Sequence, residues 1–468
     1  MPVRFGDITL SRYTARTSSG SQTLTSRIDL SVAPSAASVS PAAIVPELER
    51  DAIRRVALRI VPLLMVCYFF AYLDRVNLSF AALQMNKALG LSSTAYGLGA
   101  GLFFLSYCLC EIPSNLLLYR VGATRWIARI MFTLGLCATA MAFIQGKTSF
   151  YVVRLALGAA EAGFYPGVLF FLTLWFPAAY RARVLGVFIA AIPISGIIGA
   201  PLSAQLLSLD GKGGLQGWQW LYLLEAVPAL LLAPLLLRRL QDSPAQANWL
   251  PGAERDWLIG QLRAERSETE RRRTFSVLQC LTNPRVLFLA AIYFSNVCLL
   301  NSITFFLPQI VKGFGLSNPQ IGLVVAIPSL LGLFALILWG RHSDRHQERY
   351  RHAALANFVG GAALLLSVLL INPAARIAAI AVAFACTLAF TAPFWSIPST
   401  FLTGGAAAAG IGAISALGVS GGFFSPWFIG YMKDTLGDFR IGLGVIAVVA
   451  MSFAAALYVF RKPTHSLS

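Results

Sequence analysis

The chain has 468 residues, of which 57% are hydrophobic and only 12% are charged. A soluble protein carries about a quarter of its residues as charged side chains, so this composition excludes a water-covered globular surface and predicts a membrane protein. The formal net charge of +17 would suit a nucleic-acid-binding protein, but the positions of the basic residues, given below, argue against that class.

The first 45 residues differ in kind from the rest of the chain. They are rich in Ser, Thr, Ala and Arg and contain no apolar core of the kind that a secretory signal needs. An organellar transit peptide would have this composition, but a disordered tail or a start codon placed too early is the preferred interpretation. We therefore predict a disordered cytoplasmic tail over residues 1–55 and assign it no function.

Twelve apolar runs of about 20 residues follow, and each has the length of a helix that crosses a bilayer. One long polar segment separates the sixth run from the seventh. The prediction is an all-α membrane protein whose twelve transmembrane helices form two six-helix bundles, at 56–238 and 285–462, with a linker at 239–284 and a tail at 463–468. The predicted spans lie near 60–82, 95–118, 124–145, 148–175, 184–207, 218–237, 286–311, 319–340, 353–371, 376–398, 408–431 and 441–460.

The basic residues collect between alternate spans. Arginines lie before the first span, after the second, after the fourth and in the central linker, whereas the intervening loops carry mostly single basic residues. This alternation is the positive-inside pattern, and it predicts that both termini and the linker are cytoplasmic. We therefore expect a multi-pass protein of the plasma membrane, in particular a bacterial inner membrane, with no nucleic-acid partner.

Several short motifs stand in a fixed order along these spans. Two basic turns, in "SYCLCEIPSNLLLYRVGATR" and "GRHSDRHQERYR", follow the second and the eighth span and predict that the two halves are internal repeats. The other motifs are "YLDRVNLSFA" in the first span, "RLALGAAEAGFYPG" in the fourth, "GWQWLYLLEAVPA" entering the sixth and "FLPQIVKGFG" closing the seventh. In this order the chain resembles the major facilitator superfamily across residues 55–460, and within it the anion:cation symporter family of organic-anion carriers.

The resemblance implies two pseudo-symmetric bundles around a midplane site that opens alternately to each side of the membrane. The chain departs from the family pattern at Tyr119, where an acid usually precedes the arginine of the first basic turn. It departs again in the eleventh span, where Ser415 and Val419 stand in a region in which family members often have asparagine. The first departure concerns an ion pair of the gate, and the second concerns the substrate contacts.

The fourth span carries charged residues on one predicted helical face. Arg154, Gly158, Glu161 and Tyr165 are spaced at i, i+4, i+7 and i+11. An inert arginine–glutamate pair is the alternative, but a charge in hydrocarbon costs at least ~2.5 kcal/mol, which favours a functional role. The resemblance implies that Glu161 is a proton site, and we assign Arg154 and Tyr165 to substrate binding.

Asp74 and Arg75 are adjacent charges inside the first apolar span. Neighbours on a helix point about 100° apart, so the two side chains are predicted to face different partners. Arg75 suits a central cavity, where its planar fork can grip a carboxylate at two points. Asp74 is predicted to face a neighbouring helix, with Arg154 as a candidate partner, and to act with Glu161 in proton coupling. A mutual structural pair of Asp74 and Arg75 is the alternative.

Further candidates come from the second span and the second basic turn. Tyr107 matches a family position that lines the cavity, although core packing is the alternative for an isolated tyrosine. Glu111 lies nearer the cytoplasmic end. Three roles stand as alternatives for it: part of a gate, an ion pair with an arginine of the following turn, or transport chemistry. Asp344 and Arg345 are predicted to hold the cytoplasmic side closed, as the corresponding motif does in the superfamily.

The interiors of spans seven to twelve contain no charged residue. Charge recognition and proton handling are therefore predicted to belong to the first half, while the second half supplies hydrogen bonds and aromatic walls. Asn301, Trp395 and Ser415 are assigned to substrate binding, and Phe305 and Phe394 to the walls. For any single polar residue here, a contact between helices is the alternative.

The sequence gives little support to a metal site, a disulfide framework, ATP hydrolysis or enzymatic catalysis. His342 and His346 have the spacing of metal ligands, but a basic loop without an acid or thiol set is more typical of a solvated turn. The seven cysteines lie mostly in apolar stretches without paired spacing and are interpreted as core residues. No phosphate-binding glycine loop with a following lysine exists, and no histidine lies inside a span. We therefore expect no ATP-driven transport, no enzyme, no metal and no cofactor.

The sequence thus predicts a monomeric secondary active transporter that takes up a small organic anion with protons. A carboxylate such as a tartrate-like dicarboxylate or a sugar acid is preferred because of an overall likeness to tartrate-type carriers, and an aromatic acid is an alternative. The other alternative is proton-antiport efflux of a hydrophobic or cationic compound. A buried arginine facing the cavity argues against a cationic cargo.

Overall fold

The computed structural model describes residues 41–270, 282–400 and 404–460. Most of the predicted N-terminal tail, the predicted C-terminal tail, and part of an uncharged loop at 399–410 lie outside the described residues. Within the described ranges the secondary structure is helical, and no strand occurs there.

The first half contains six crossings, and two of them are built from two consecutive helices each. They are α1 (Pro41–Ala88), α2 (Ser93–Val121), α3 (Ala123–Met141), α4 (Lys147–Glu161) with α5 (Phe164–Trp175), α6 (Ala178–Ile189) with α7 (Ala191–Leu206), and α8 (Gly217–Arg239). A further helix, α9 (Gly252–Glu270), lies in the linker.

The second half also contains six crossings. They are α10 (Pro284–Lys312), α11 (Asn318–His346), α12 (Arg349–Leu369), α13 (Pro373–Ser396), α14 (Gly404–Val419) with α15 (Gly421–Leu436), and α16 (Arg440–Val459). Eleven crossings of the described chain are long and apolar enough to span a membrane, judged by length and composition. The twelfth is α3, which is less apolar because its 19 residues include Arg125 and Arg129.

The fourth crossing is interrupted between α4 and α5. Glu161 is the last residue of α4, and Gly163 has a φ of +84°, a conformation that residues with a side chain rarely adopt. Ser114 of α2 donates a hydrogen bond to the Ala162 carbonyl oxygen at 2.6 Å, and Trp126 Nε1 donates to Ser114 at 2.9 Å. The first bond satisfies a backbone carbonyl that the break would otherwise leave unpaired, and the second holds the Ser114 hydroxyl in position. The break therefore places Glu161 at a helix end.

The linker packs on one end of the first half, which we call the linker end. Glu254 of α9 pairs with Arg55 of α1 at 3.1 Å, and Glu265 of α9 pairs with Arg181 of α6 at 2.8 Å. Although the sequence predicts only a polar connection here, the described part of the linker belongs structurally to the first half.

The two halves touch at the opposite end, which we call the far end. The Asp434 carboxylate of α15 accepts hydrogen bonds from the backbone N–H groups of Ser93 and Thr94, at 3.0 and 2.7 Å, where α2 begins. Gly97 packs so closely that a Cβ atom there would lie 2.1 Å from the Pro426 carbonyl oxygen. Both contacts involve the first two turns of α2, so the halves are closed against each other at the far end.

Candidate functional site

A cavity with a volume of ≈ 180 Å³ lies between the two halves. The first half contributes the charged side chains of Arg75, Glu111 and Glu161 to its wall, while the residues from the second half are all uncharged. The contrast between a charged first half and a neutral second half thus extends to the cavity wall.

Arg75 and Glu161 form an ion pair on this wall. Nη2 of Arg75 lies 2.8 Å from Oε1 of Glu161, and the two side chains are 19% and 3% exposed. Arg75 Nε and Glu161 Oε2 are buried and make no hydrogen bond within the described ranges. Arg75 therefore lines the cavity with one buried donor unsatisfied.

Asp74 and Arg154 form a second ion pair, which is sealed from the cavity. Nη1 of Arg154 lies 3.2 Å from Oδ2 of Asp74, and Arg154 is 0% exposed. Arg154 Nε also donates to the Gly99 carbonyl oxygen at 3.3 Å. Arg154 is not among the residues that line the cavity. Its assignment to substrate contact is therefore corrected: in this structure it is the buried counter-charge of Asp74.

Aromatic rings surround the Arg75 guanidinium. Its central carbon lies 5.1 Å from the ring centroid of Tyr72, 5.2 Å from that of Phe103 and 5.5 Å from that of Phe104. Such contacts stabilise a guanidinium that has lost part of its water. Five tyrosines also bring phenol groups to the cavity wall, namely Tyr68, Tyr72, Tyr107, Tyr165 and Tyr293.

Most of the residues assigned to substrate binding line the cavity. Tyr107 and Tyr165 do so from the first half, and Asn301, Trp395 and Ser415 from the second. The continuous helical face predicted for the fourth span is wrong, however, because the break after α4 interrupts it. Tyr165 reaches the cavity from α5 instead.

The two phenylalanines predicted as cavity walls lie elsewhere. Phe305 and Phe394 are fully buried and do not line the cavity. The second half instead presents Tyr293 and Thr391, which the sequence analysis did not single out. Phe394 stacks on Tyr293, with ring centroids 5.5 Å apart, so it supports the wall from behind. Apolar runs alone cannot distinguish an aromatic side chain that lines a cavity from one that packs behind it.

Glu225 of α8 is a buried acid that the sequence analysis missed. It is 7% exposed, and its Oε1 lies 3.2 Å from the Ser203 hydroxyl, which is also 3.1 Å from Oδ1 of Asn77. Its Oε2 has no hydrogen-bond partner within the described ranges. Asn77 follows Asp74 by one helical turn of α1, so this polar cluster adjoins the second ion pair. An acid inside the run "LYLLEAVPA" was the available signal, and it is the criterion that selected Asp74.

The residues predicted to gate the transporter occupy different places. Glu111 lines the cavity. Asp344 pairs with Arg349 across the turn between α11 and α12, and Arg345 is exposed near the end of α11. Both members of the Asp344 pair belong to the second half, so in this conformation the pair does not join the two halves.

Known proteins with similar sequences and folds are transporters. Residues 64–426 match the Major Facilitator Superfamily. The chain is 46% identical to a "Putative tartrate transporter" of Agrobacterium vitis, over 89% of this chain and 96% of the relative. It is 41% identical to a "Quinolone resistance transporter" of Acinetobacter baumannii, over 86% of this chain and 94% of the relative. Its fold resembles the partially occluded inward open xylose transporter XylE from E. coli, with a TM-score of 0.71 and 13% identity over 88% of this chain and 100% of that chain.

Proposed function

The chain belongs to the Major Facilitator Superfamily, and we propose that it takes up a small organic anion together with protons by alternating access. A tartrate-like dicarboxylate or a sugar acid is the preferred substrate, and the name of the Agrobacterium vitis relative supports the first of these. The observation that carries the proposal is the Arg75–Glu161 ion pair, which faces the cavity and is only partly satisfied.

Arg75 is the proposed anion-binding group. A guanidinium binds a carboxylate at two points through neighbouring N–H donors. Arg75 already has a free Nε beside the Nη2 that contacts Glu161, so displacement of Glu161 gives a substrate carboxylate both donors. The volume of ≈ 180 Å³ is below the range of about 300–1,000 Å³ that is usual for pockets of drug-sized ligands. A small anion is therefore favoured, and the tyrosine hydroxyls suit a hydroxylated one.

Glu161 is the proposed carrier of the coupled proton. While Glu161 is ionised it competes with the substrate carboxylate for Arg75. A proton on Glu161 removes this competition, and the substrate then takes its place beside the guanidinium. Asp74 is the proposed second proton-coupling group. Because its partner Arg154 is sealed from the cavity, a proton on Asp74 acts on the substrate through the electric field rather than through contact.

We propose that the linker end is cytoplasmic, because the basic residues follow the positive-inside pattern. The far-end contacts of Asp434 with α2 would then close the extracellular side, and the structure would correspond to an inward-facing state. Asp344 and Arg345 remain the proposed gate of the cytoplasmic side, which must close when the far end opens.

Uptake into proteoliposomes tests the proposal. With a more acidic medium outside, the protein should accumulate labelled tartrate above its external concentration. Arg75→Lys should lose most of this uptake because a point charge does not reproduce the two-donor fork, and the dimethyl ester of tartrate should not compete. Arg440→Lys, at a residue with 44% side-chain exposure outside the cavity wall, is the matched control. Full uptake by Arg75→Lys, or tight binding of the ester, contradicts the assignment.

Proton-antiport efflux of a quinolone-type compound is the second candidate function. It is favoured by the name of the Acinetobacter baumannii relative and by the aromatic cavity wall. Quinolones also carry a carboxylate, so Arg75 alone does not separate the two candidates. The direction of transport separates them, because efflux predicts proton-driven expulsion of the drug and no accumulation of tartrate or of other small hydroxy acids.

A further inference from the structure

We infer that His342, His346 and His352 form a binding site for a divalent transition metal ion of the zinc class. One ring nitrogen from each of the three lies within 4.8 Å of the others. From the sequence, His342 and His346 are predicted to lie in a solvated turn because their basic loop has no acid or thiol set. The fold supplies a third ligand from the first turn of α12, and the cluster lies at the linker end of the second half, apart from the transport cavity.

Helix geometry brings the three rings together. His342 and His346 are four positions apart near the end of α11, so their side chains lie on one face, with ring centroids 4.2 Å apart. Gln347 then has a φ of 55°, which ends α11 and turns the chain back into α12. This turn brings the His352 ring centroid to 5.0 Å from that of His342.

The hydrogen bonds of the rings leave nitrogen lone pairs available to a metal. A carbonyl oxygen can only accept, so Nδ1 of His346, 2.9 Å from the His342 oxygen, and Nδ1 of His352, 2.5 Å from the Glu348 oxygen, must carry hydrogens. In the neutral rings their Nε2 atoms are therefore bare, and an N–H bond to a backbone carbonyl is the usual support of a metal-binding histidine. Nδ1 of His342 donates to Nε2 of His352 at 2.8 Å in the metal-free rings. Binding of an ion replaces this bond: the His342 proton moves through solvent from Nδ1 to Nε2, and the ion takes the lone pairs of His342 Nδ1 and His352 Nε2.

The surroundings hold the cluster in place. Trp339 Nε1 donates to the His352 carbonyl oxygen at 3.1 Å, and the Trp339 ring stacks on His342 with centroids 5.7 Å apart. The arginines of this turn oppose a dication, but Arg349 is paired with Asp344 and Arg351 with Glu348. Part of the local positive charge is therefore already neutralised.

The donor set indicates which ions bind. Imidazoles suit Zn²⁺, Cu²⁺, Ni²⁺ and Co²⁺, whereas Mg²⁺ and Ca²⁺ prefer oxygen ligands. With Zn–N distances of about 2.0–2.1 Å, tetrahedral ligand nitrogens lie roughly 3.4 Å apart, so small side-chain rotations would close the site. Three protein ligands leave the fourth position for water. A bound ion would clamp the end of α11 to the start of α12 and fix the turn that carries Asp344.

Metal titration of the full-length protein, with any affinity tag removed, tests the inference. Calorimetry with ZnCl₂ should give one site per chain, Zn²⁺ should raise the melting temperature, and Co²⁺ should produce the visible absorption of tetrahedral coordination. His346→Gln, at an exposed position, should weaken binding by at least about tenfold, by analogy with losses at supporting residues of metal sites. The double variant His342→Gln/His346→Gln should abolish the Co²⁺ absorption.

The fourth histidine of the chain provides a matched control. His465 lies outside the described residues, and His465→Gln should bind Zn²⁺ as the wild type does. The absence of saturable Zn²⁺ binding to the wild type overturns the inference. Binding that persists unchanged in the double variant also overturns it, because the ion would then occupy another site, such as the cysteines.

Discussion

Removing the charge of Asp74 should destabilise the protein far more than removing the charge of Glu161. Arg154, the partner of Asp74, is 0% exposed, whereas Arg75, the partner of Glu161, is 19% exposed. Breaking a buried pair leaves an uncompensated charge and costs ~3–5 kcal/mol. Asparagine keeps a hydrogen-bond acceptor, so ~3 kcal/mol is expected for Asp74→Asn. Arg75 can contact water in the cavity and keeps its aromatic neighbours, so about 1 kcal/mol is expected for Glu161→Gln.

Thermal melting of the purified variants in detergent measures this difference. Each six-helix half has the size of a domain of about 150–250 residues, for which 1 kcal/mol changes Tm by about 2–4 °C. Asp74→Asn should therefore lower Tm by roughly 6–12 °C and Glu161→Gln by roughly 2–4 °C. Tryptophan fluorescence can follow the transition, since the chain has nine tryptophans.

A double variant controls for effects unrelated to charge. Asp74→Asn combined with Arg154→Met removes both members of the sealed pair, and exchange of a buried pair for neutral groups is often nearly neutral in stability. The double variant should therefore melt above Asp74→Asn alone. The reasoning is refuted if Glu161→Gln melts as low as Asp74→Asn, or if the double variant regains nothing.

Three further variants test coupling, the missed acid and the far-end contact. Glu161→Gln should exchange labelled substrate across the membrane yet lose about tenfold in accumulation per pH unit of gradient, since one coupled proton is worth about 1.4 kcal/mol per unit; uphill accumulation equal to that of the wild type contradicts this. Glu225→Gln should change stability by less than about 1 kcal/mol, because a carboxyl group with neutral partners is expected to be buried as the neutral acid; a loss as large as that of Asp74→Asn would show that Glu225 is buried as a charge. Asp434→Ala should raise the labelling of single cysteines placed on the far-end side of the cavity, and unchanged labelling would mean that this contact does not hold the far end closed.

The helices and the buried charges could be predicted because both follow from local sequence. An apolar run of sufficient length must cross the bilayer as a helix, and a charge within such a run is visible at once. The different partners of Asp74 and Arg75 follow from the angle of about 100° between helical neighbours. Glu225 satisfies the same local criterion, so its burial could also have been predicted.

Features that depend on distant segments could not be predicted in this way. Asp434 contacts Ser93 although the two residues are 341 positions apart in the sequence, and no local pattern indicates that pairing. Gly163 stands in an apolar run, where a glycine can serve either close helix packing or a break. Its φ of +84° and the contact of Ser114 with the freed carbonyl identify the break. The position of His352 beside His342 likewise depends on the turn between α11 and α12.

The four charges of the two ion pairs set a rule for what the site can carry. The two ion pairs contribute two arginines and two carboxylates and are together neutral when all four groups are ionised, while Glu111 adds one further acid to the cavity wall. An anion that displaces Glu161 leaves an excess negative charge in a buried site, which is costly, unless Glu161 has taken up a proton. A dianion brings a further negative charge, and a proton on Asp74 offsets it because Arg154 then remains positive.

This rule ties the number of protons to the charge of the substrate. A dianion carried with two protons moves no net charge, whereas a monoanion carried with two protons moves one positive charge inward, worth ~2.3 kcal/mol per 100 mV. Tartrate uptake at a fixed pH gradient should therefore be independent of the membrane potential if Asp74 and Glu161 each deliver one proton. Uptake driven by an inside-negative potential would require a third proton, for which Glu111 on the cavity wall and the buried Glu225 beside Ser203 are the candidates. Uptake opposed by that potential would mean that only one proton is coupled and that Asp74 stays ionised through the cycle.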